Sequence, residues 1–347
     1  MSNLWLIFQH GKFPGSKEYD HAFPDLENRN TSQFWIFQNK ESAVKGSSQA
    51  GMTSPLHDSA FNLTNTYKRD SDVTRYFGTI EGLITEARFN ANSGVLLVDD
   101  KTYFQNLISE KFEPSSEHGT VNTAWYVSNC NHTLGAKLRL DYGQSLIDAG
   151  LKLYTEGECF GHVTEKNFNS KNRADAQTEF PTRKLKFYLA FENAYHCTDY
   201  VSEKFWRNAF GDLQVPIVFG PHVKDVEAVA PPNSYIHAED FNSPEELVGY
   251  IDYLDRNNTA YLEYHQWRTL YPDGKHRAVD SITGMKKDWQ SLCELCRVIR
   301  DKRANNEHQY YKSVSTNILL PVSLPVRLFQ MVSHIACKVI IIVLYSV

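Results

Sequence analysis

Several segments of this chain place residues able to do chemistry where a fold could hold them. Phe187-Tyr188-Leu189-Ala190-Phe191 is an apolar run that stops on Glu192 and Asn193. A little later Glu203 and Lys204 open a second apolar-rich stretch, and Arg139 lies near the start of a third. An ammonium near a helix start adds a point charge to backbone N–H groups that already favour phosphate. An arginine can grip phosphate oxygens with two parallel N–H donors, and a neighbouring glutamate can accept from ribose hydroxyls. The same spacing also fits a bland arrangement, in which Glu203 pairs with Arg207 one helical turn on while Lys204 and Arg139 are solvated. Glu41 follows the apolar run "QFWIF" and would suit a general base if it faced a cleft; alone, it is also an ordinary loop carboxylate. Asp70-Ser71-Asp72 could hold a divalent cation on a diphosphate, but no further oxygen ligands lie near it, and a polar turn explains it as well. There is no dinucleotide fingerprint, P-loop or nucleophile elbow.

These positions need elements to carry them. From residue 124 onward the pattern alternates strand and helix. "AWYVS", "LKLYT", "KFYLAF", "VPIVFG" and "SYIHA" read as strands. "GAKLRLDYGQSLIDAG" reads as a helix with Leu138, Tyr142 and Leu146 on its apolar stripe, and a further helix is expected from Val201 to Phe210. "NSPEELVGYIDYLDRN" carries the clearest helix signals: Ser243 as N-cap, Pro244 at the first position and Glu246 completing a capping box, with Leu247, Tyr250, Ile251 and Leu254 inward. Such alternation implies a mainly parallel α/β sheet covered on both faces. Ligands of such sheets bind beyond the carboxyl ends of the strands, which is where Glu192 and Asn193 fall. Before residue 112 the chain mixes short strands, "QFWIF" and "GVLLV", with polar loops, and 112–122 reads as a linker.

The 347 residues are 41% hydrophobic and carry 36 basic against 41 acidic side chains, a net charge of -5. That suffices for two domains with a real core and offers no basic excess for nucleic acid. Cys293 and Cys296 form a C-x-x-C without a second such pair, so a four-thiolate zinc site is not indicated and disulfides fit better. The sequons at Asn30, Asn62, Asn131 and Asn257 point the same way, toward a secretory compartment. No N-terminal signal or anchor is visible. Residues 328–347 approach the length of a membrane span but enclose His334 and Lys338.

Taken together, the segments resemble the α-1,3-fucosyltransferases of glycosyltransferase family 10. "KFYLAFENAYHCTDYVSEKFWRNAF" is similar to that family's F-Y-L-x-F-E-N, D-Y-[IV]-[ST]-E-K and W-R-N-A signature, and "VPIVFGP", "SYIHAEDFNSPEEL" and "YLEYHQWR" continue it in order. Upstream, "WIFQNKES" resembles W-x-x-F-N-x-E-S-P, and "FNLTNTYKRDSDVTRYFG" and "AWYVSNCN" match further elements, so the likeness runs from about residue 33 to about residue 300.

The resemblance implies two Rossmann-like domains facing a cleft (the GT-B type), with residues 1–118 presenting the acceptor, 119–300 holding GDP-fucose, and 301–347 an atypical tail. It implies that Glu41 is the general base, and that Arg139 and Lys204 meet the diphosphate, Glu203 the ribose, and Glu192, Asn193 and Tyr200 line the donor site. The implied reaction is an inverting transfer of L-fucose from GDP-fucose to the 3-OH of N-acetylglucosamine, with no required metal, scope for manganese stimulation, and a lumenal site at the Golgi membrane. The late C-x-x-C fits the family's C-terminal end. The departures are a short segment before the W-x-x-F element, which makes the acceptor domain incomplete by the family's measure, Ala43 in place of proline, and Leu213 where the family has glycine. They keep an alternative open, a catalytically silent member that retains donor binding.

Overall fold

The computed structural model describes residues 5–9, 29, 33–42, 61–78, 98–99, 121–160, 185–269, 277–278, 288–305 and 307. The main elements in chain order are β1 (Trp5–Gln9), β2 (Phe34–Asn39), β3 (Leu63–Thr66), β4 (Val73–Thr74), β5 (Val98–Asp99), β6 (Thr123–Tyr126), α1 (Leu134–Asp148), β7 (Leu153–Glu156) and β8 (Phe187–Phe191). A seven-residue π-helix (Lys204–Phe210) follows, then β9 (Val215–Phe219), α2 (Val223–Glu227), β10 (Ile236–His237), α3 (Pro244–Arg256), α4 (Asn258–Glu263), β11 (Arg277–Ala278) and α5 (Asp288–Ala304). The expected apolar segment 328–347 and most of the 112–122 linker lie outside the described residues. Among the described residues no helix is long and apolar enough to cross a membrane.

The chain divides into two compact units. The first comprises Met1–Tyr76, His196–Tyr200 and Lys286–Val347, the second Phe77–Tyr195 and Val201–Met285. These differ from the boundaries read at residues 118 and 300: the first stretch ends at Tyr76, and two later segments return to the first unit. One of them is α5. Its Leu295 and Ile299, one turn apart, are buried against Phe34, Ile36, Leu63 and Val73. A parallel sheet must be covered on its faces, and α5 covers this one.

The sheet of the first unit runs β1-β2-β3-β4, all parallel. β2 is buried along its whole length, as expected of an inner parallel strand. The D-x-D turn joins β3 to β4 in this sheet. Asp72 accepts from the N–H and hydroxyl of Thr64 at 2.8 and 3.0 Å, and Asp70 pairs with Lys68 at 2.9 Å.

The sheet of the second unit runs β10-β9-β8-β6-β7, again all parallel. Counted from β6, the first of these strands in the chain, the order is the doubly wound 2-1-3-4-5 arrangement, whose switch point lies between β6 and β8. Trp125, Phe187, Leu189, Phe191, Val215 and Ile217 form one packed face with Leu146 and with Leu247, Ile251, Leu254 and Tyr261. Helix α3 begins as its signals require: Ser243 Oγ accepts from the Glu246 N–H at 3.3 Å. Glu246 reaches back to the N–H of Asn242 at 2.8 Å, one residue earlier than in the usual box.

Helix α1 corrects its expected stripe. The buried positions are Gly135, Ala136, Arg139, Gly143 and Leu146, while Leu138 and Tyr142 are half-buried. Small residues face inward because the helix lies almost on its neighbours. A Cβ at Gly143 would overlap the Trp125 ring, and one at Gly135 would sit 2.7 Å from Asn193 O and Tyr195 N. Helix propensity alone favours alanine over glycine by about 1 kcal/mol, whereas overpacking costs about 1–3 kcal/mol. Gly143→Ala is therefore expected to lower the thermal midpoint; an unchanged or raised midpoint would show that the tight helix–Trp125 contact is not limiting.

The sequons fare differently. Asn30 lies outside the described residues. Asn62 is buried, its Oδ1 accepting from the Trp35 N–H at 2.9 Å and from Arg29, so the folded unit has no room for a glycan there. Asn131 is exposed just before α1. Asn257 joins α3 to α4, accepting from the Ala260 N–H at 3.1 Å and donating to Tyr253 at 3.0 Å. Cys130 and Cys159 form a disulfide, and Cys197 is disulfide-bonded too. Cys293 and Cys296, expected among the disulfides, are free and exposed on α5.

Candidate functional site

At the switch point of the second unit, the carboxyl ends of β6 and β8 are bridged by one side chain. Arg139, on α1 and 2% exposed, donates to Phe191 O at 2.9 Å and to Asn129 O, beyond β6, at 2.9 Å. Thr133 caps α1 by accepting from the Ala136 N–H at 3.0 Å. Its hydroxyl also donates to Asn193 O at 2.6 Å, so the start of α1 is tied to the second residue after β8. Asn193 is buried, and its Oδ1 has no hydrogen-bond partner among the described residues. The Cys130–Cys159 disulfide fastens the loops beyond β6 and β7 in the same region.

Glu192 supports this site from within. One of its oxygens accepts from the Ser202 N–H at 2.8 Å, the other from Lys204 Nζ at 2.9 Å, and its side chain is 1% exposed. Both carboxylate oxygens are thus occupied inside the protein. The expected role of Glu192 as a donor contact becomes one of holding Lys204. Lys204 Nζ also donates to Ser202 Oγ at 2.8 Å and, more loosely, to Glu203 Oε1 at 3.4 Å. The Glu203 contact is the longest of the three, and the Glu203 side chain is a third exposed. It is the one an incoming anion can displace, freeing an N–H of Lys204 for the anion and the carboxylate for hydroxyls. The pairing of Glu203 with Arg207 that the spacing allowed does not form. No ion pair joins them among the described residues, and Arg207 acts on Glu203 only through its charge.

The electrostatics keep both members ionised. Burial alone would lower the Lys204 pKa, but Glu192 and then Glu203 outweigh it, Arg139 opposes them, and the net shift is upward. Burial would raise Glu203, yet Lys204, a backbone N–H and Arg207 carry it below the ordinary carboxylate range. A lysine with a raised folded value contributes below its unfolded pKa, and loses that contribution only as pH rises through the folded one. A glutamate with a lowered value contributes above its unfolded pKa and loses it as pH falls through the folded one. The affinity of the site for a diphosphate ester is therefore expected to be flat from about pH 6 to about pH 9. Titration calorimetry across that range checks this, and a loss of affinity between about pH 7 and about pH 9 would contradict a permanently charged Lys204.

The remaining expected residues lie in the first unit. Glu41 is half-buried just past the carboxyl end of β2, where its N–H donates to Asn39 Oδ1 at 2.8 Å. Tyr200 is 2% exposed and packs edge-on against Tyr67, ring centroids 5.0 Å apart. The structure thus gathers Arg139, Glu192, Asn193, Glu203 and Lys204, and leaves Glu41 and Tyr200 to the other unit. Sequence reasoning missed Ser202 and Thr133. Thr133 was visible only as the third residue of a sequon, although its place just before a helix is also that of an N-cap.

Residues 117–317, more than half the chain, match the model of glycosyltransferase family 10 (fucosyltransferase), C-terminal part. The chain belongs to glycosyltransferase family 10. The fucosyltransferase N-terminal model matches residues 5–78, so Glu41 falls in the N-terminal family 10 region and the switch-point cluster in the C-terminal one. Among curated relatives, human 4-galactosyl-N-acetylglucosaminide 3-alpha-L-fucosyltransferase 9 is 33% identical over 285 residues, 81% of this chain and 62% of the relative. The Bos taurus protein of that name gives the same figures. Drosophila melanogaster glycoprotein 3-alpha-L-fucosyltransferase A is 33% identical over 259 residues, 74% of this chain and 42% of its own length. The chain thus spans 62% of the length of the first of these family 10 relatives. A crystal structure of an alpha1,3-fucosyltransferase with GDP-fucose aligns at a TM-score of 0.46 and 16% identity, covering 86% of this chain and 90% of that one.

Proposed function

We propose that this family 10 chain transfers L-fucose from GDP-fucose to the 3-OH of N-acetylglucosamine in glycans, with inversion at the anomeric carbon. The observation that carries the reading is the cluster at the β6/β8 switch point. Arg139 is fixed on carbonyls of both strand ends, and Lys204 is held by Glu192 and Ser202. Two preset cations where a doubly wound sheet takes its ligand suit a nucleoside diphosphate. Arg139 and Lys204 then stabilise the charge that grows on the diphosphate, and Glu203 accepts from the ribose hydroxyls. Asn193 lends its unpartnered oxygen to the sugar nucleotide. Tyr200 belongs to the same donor reading through its place in the D-Y-V-S-E-K segment.

Glu41 serves as the base in this proposal. It takes the proton of the acceptor hydroxyl as that oxygen forms a bond to the anomeric carbon. The bond from that carbon to the diphosphate breaks, and GDP leaves with the electron pair. A β-linked fucose thereby becomes α-linked. The names of the relatives, 3-alpha-L-fucosyltransferases acting on galactosyl-N-acetylglucosaminide or glycoprotein, support the acceptor class. The disulfide at Cys130–Cys159 supports an oxidising, lumenal setting, which the proposal places at the Golgi membrane.

The test is to incubate the protein with GDP-fucose and a panel of N-glycan-core and lactosamine-type acceptors, with and without manganese. GDP release and gain of one α-linked fucosyl group on O3 of N-acetylglucosamine are expected. GDP binding without transfer to any acceptor would instead identify a silent, donor-binding chain.

A further inference from the structure

Arg139 is steered by two carbonyls of unequal standing. Phe191 O lies in β8, which is buried along its whole length. Asn129 O lies in the loop beyond β6, where none of residues 128–132 is buried. Within that loop Asn129 Oδ1 accepts from the His132 N–H at 3.2 Å, a contact that ties the loop only to itself. Apart from Arg139, what ties this stretch to the body of the second unit among the described residues is Cys130, bonded to Cys159. The Cys159 side of the bridge is well anchored. Cys159 belongs to a short 3-10 turn, Glu158–Phe160, just past β7. Its N–H donates to Val127 O at 3.3 Å, and the Val127 N–H donates in turn to Glu156 O at 2.8 Å. Phe160 packs edge-on against the buried Trp125, ring centroids 5.4 Å apart. Gly157, at φ 106°, lets the turn press on Val127, since a Cβ there would run into Val127 O. The bridge thus carries the fixed position of the β7 end across to the residue beside Asn129.

Resting on the donor reading above, we infer that Cys130 and Cys159 are positioning residues for the nucleotide-sugar site, their disulfide holding Asn129 O where it aims Arg139 at the diphosphate. Every residue in this set of contacts belongs to the second unit. Neither sulfur touches the donor. Without the bridge Arg139 keeps Phe191 O and loses its fixed second partner, so part of its ordering is left to be done when the donor binds. A long side chain ordered on binding weakens a complex about fivefold.

The experiment is calorimetric titration of GDP into the full chain, its Cys130→Ser, Cys159→Ser double variant, and a variant with one glycine inserted between Asn129 and Cys130. The insertion keeps the disulfide and slackens its hold on Asn129. Each protein is titrated at a temperature where circular dichroism shows it fully folded. The serine variant is expected to have a lowered thermal midpoint, as loss of a cross-link requires, and a Kd for GDP about fivefold above wild type. The insertion is expected to raise Kd by about the same factor with a smaller fall in midpoint. The serine pair is also placed in an Arg139→Lys background. Lysine cannot hold two carbonyls in a fixed fork, so there the loss of the disulfide is expected to add less than about twofold. Unchanged Kd in the folded serine variant would overturn the inference. So would an equal rise in both backgrounds, which assigns the bridge to general stability. Should the serine variant not fold, the insertion decides alone, a raised Kd supporting the inference and an unchanged one overturning it. A wild-type chain that binds no GDP would remove the donor reading itself, and this inference with it.

Discussion

Glu41→Gln is expected to reduce fucosyl transfer by a factor of about 10² to 10⁴ while leaving GDP affinity within about twofold of wild type, the range spanned by loss of a positioned general base. Glutamine keeps the shape of the side chain and cannot take a proton. The local backbone should not respond, because Asn39 Oδ1 holds the main-chain N–H of residue 41, which the substitution leaves in place. Glu41 is half-buried, so stability should change little, by about 0.5 kcal/mol or less. The measurement pairs initial rates at saturating GDP-fucose with a GDP titration. Equal rates for the variant and wild type would take Glu41 out of the base role. A parallel loss of GDP binding would mean that the substitution disturbs the fold and not the proton transfer alone.

Lys204→Ala should injure both stability and binding, for separable reasons. Its partner Glu192 has a side chain only 1% exposed and would be left as a buried carboxylate without its cation. Breaking one side of a buried pair costs about 3–5 kcal/mol, a large part of the roughly 5–15 kcal/mol that keeps a domain folded. Donor affinity should fall as well, since an ammonium beside the diphosphate is lost. The paired substitution Glu192→Gln with Lys204→Met separates the two effects. The amide oxygen of the introduced glutamine can still accept from the Ser202 N–H, and neither member of the pair is left as an uncompensated buried charge, so denaturation should approach wild type while GDP affinity stays low. If the double variant binds GDP as tightly as wild type, Lys204 is a structural cation only.

Much of this was legible before the structure. The strand ending at Phe191 and the polar pair after it could be read because a parallel strand buried on both faces must be continuously apolar. Its carboxyl end is also the one place where polar residues become useful. Helix α3 was legible because capping is local chemistry. The inward face of α1 was not. Apart from Arg139 and Leu146, its buried positions are glycine and alanine, whose value lies in the closeness they permit and leaves no hydrophobic stripe. Nor could sequence assign α5 and His196–Tyr200 to the first unit, since both are returns of the chain over long separations. Glu192 was placed among the donor contacts because its motif position says that it matters; only the geometry shows that both its oxygens face Ser202 and Lys204.

Leu213 shows the reverse case. The sequence flags it as a departure from a glycine in the family pattern, and the backbone gives the reason that glycine suits the position. Leu213 sits at φ 55°, a left-handed conformation that costs a non-glycine residue about 1–2 kcal/mol. Its side chain is buried, with the residue 2% exposed. Burying a leucine returns about 1.5–3 kcal/mol, which is enough to offset the strain and accounts for its tolerance here.

Whether the carboxyl ends of β6 and β8 seat a nucleoside diphosphate is tested most directly by a crystal structure of the full chain grown with GDP. The diphosphate is expected against Arg139 and Lys204, with the ribose on Glu203 and Glu203 turned away from Lys204. GDP bound elsewhere on the second unit, or no GDP at a saturating concentration with the Lys204–Glu203 contact intact, would contradict that placement.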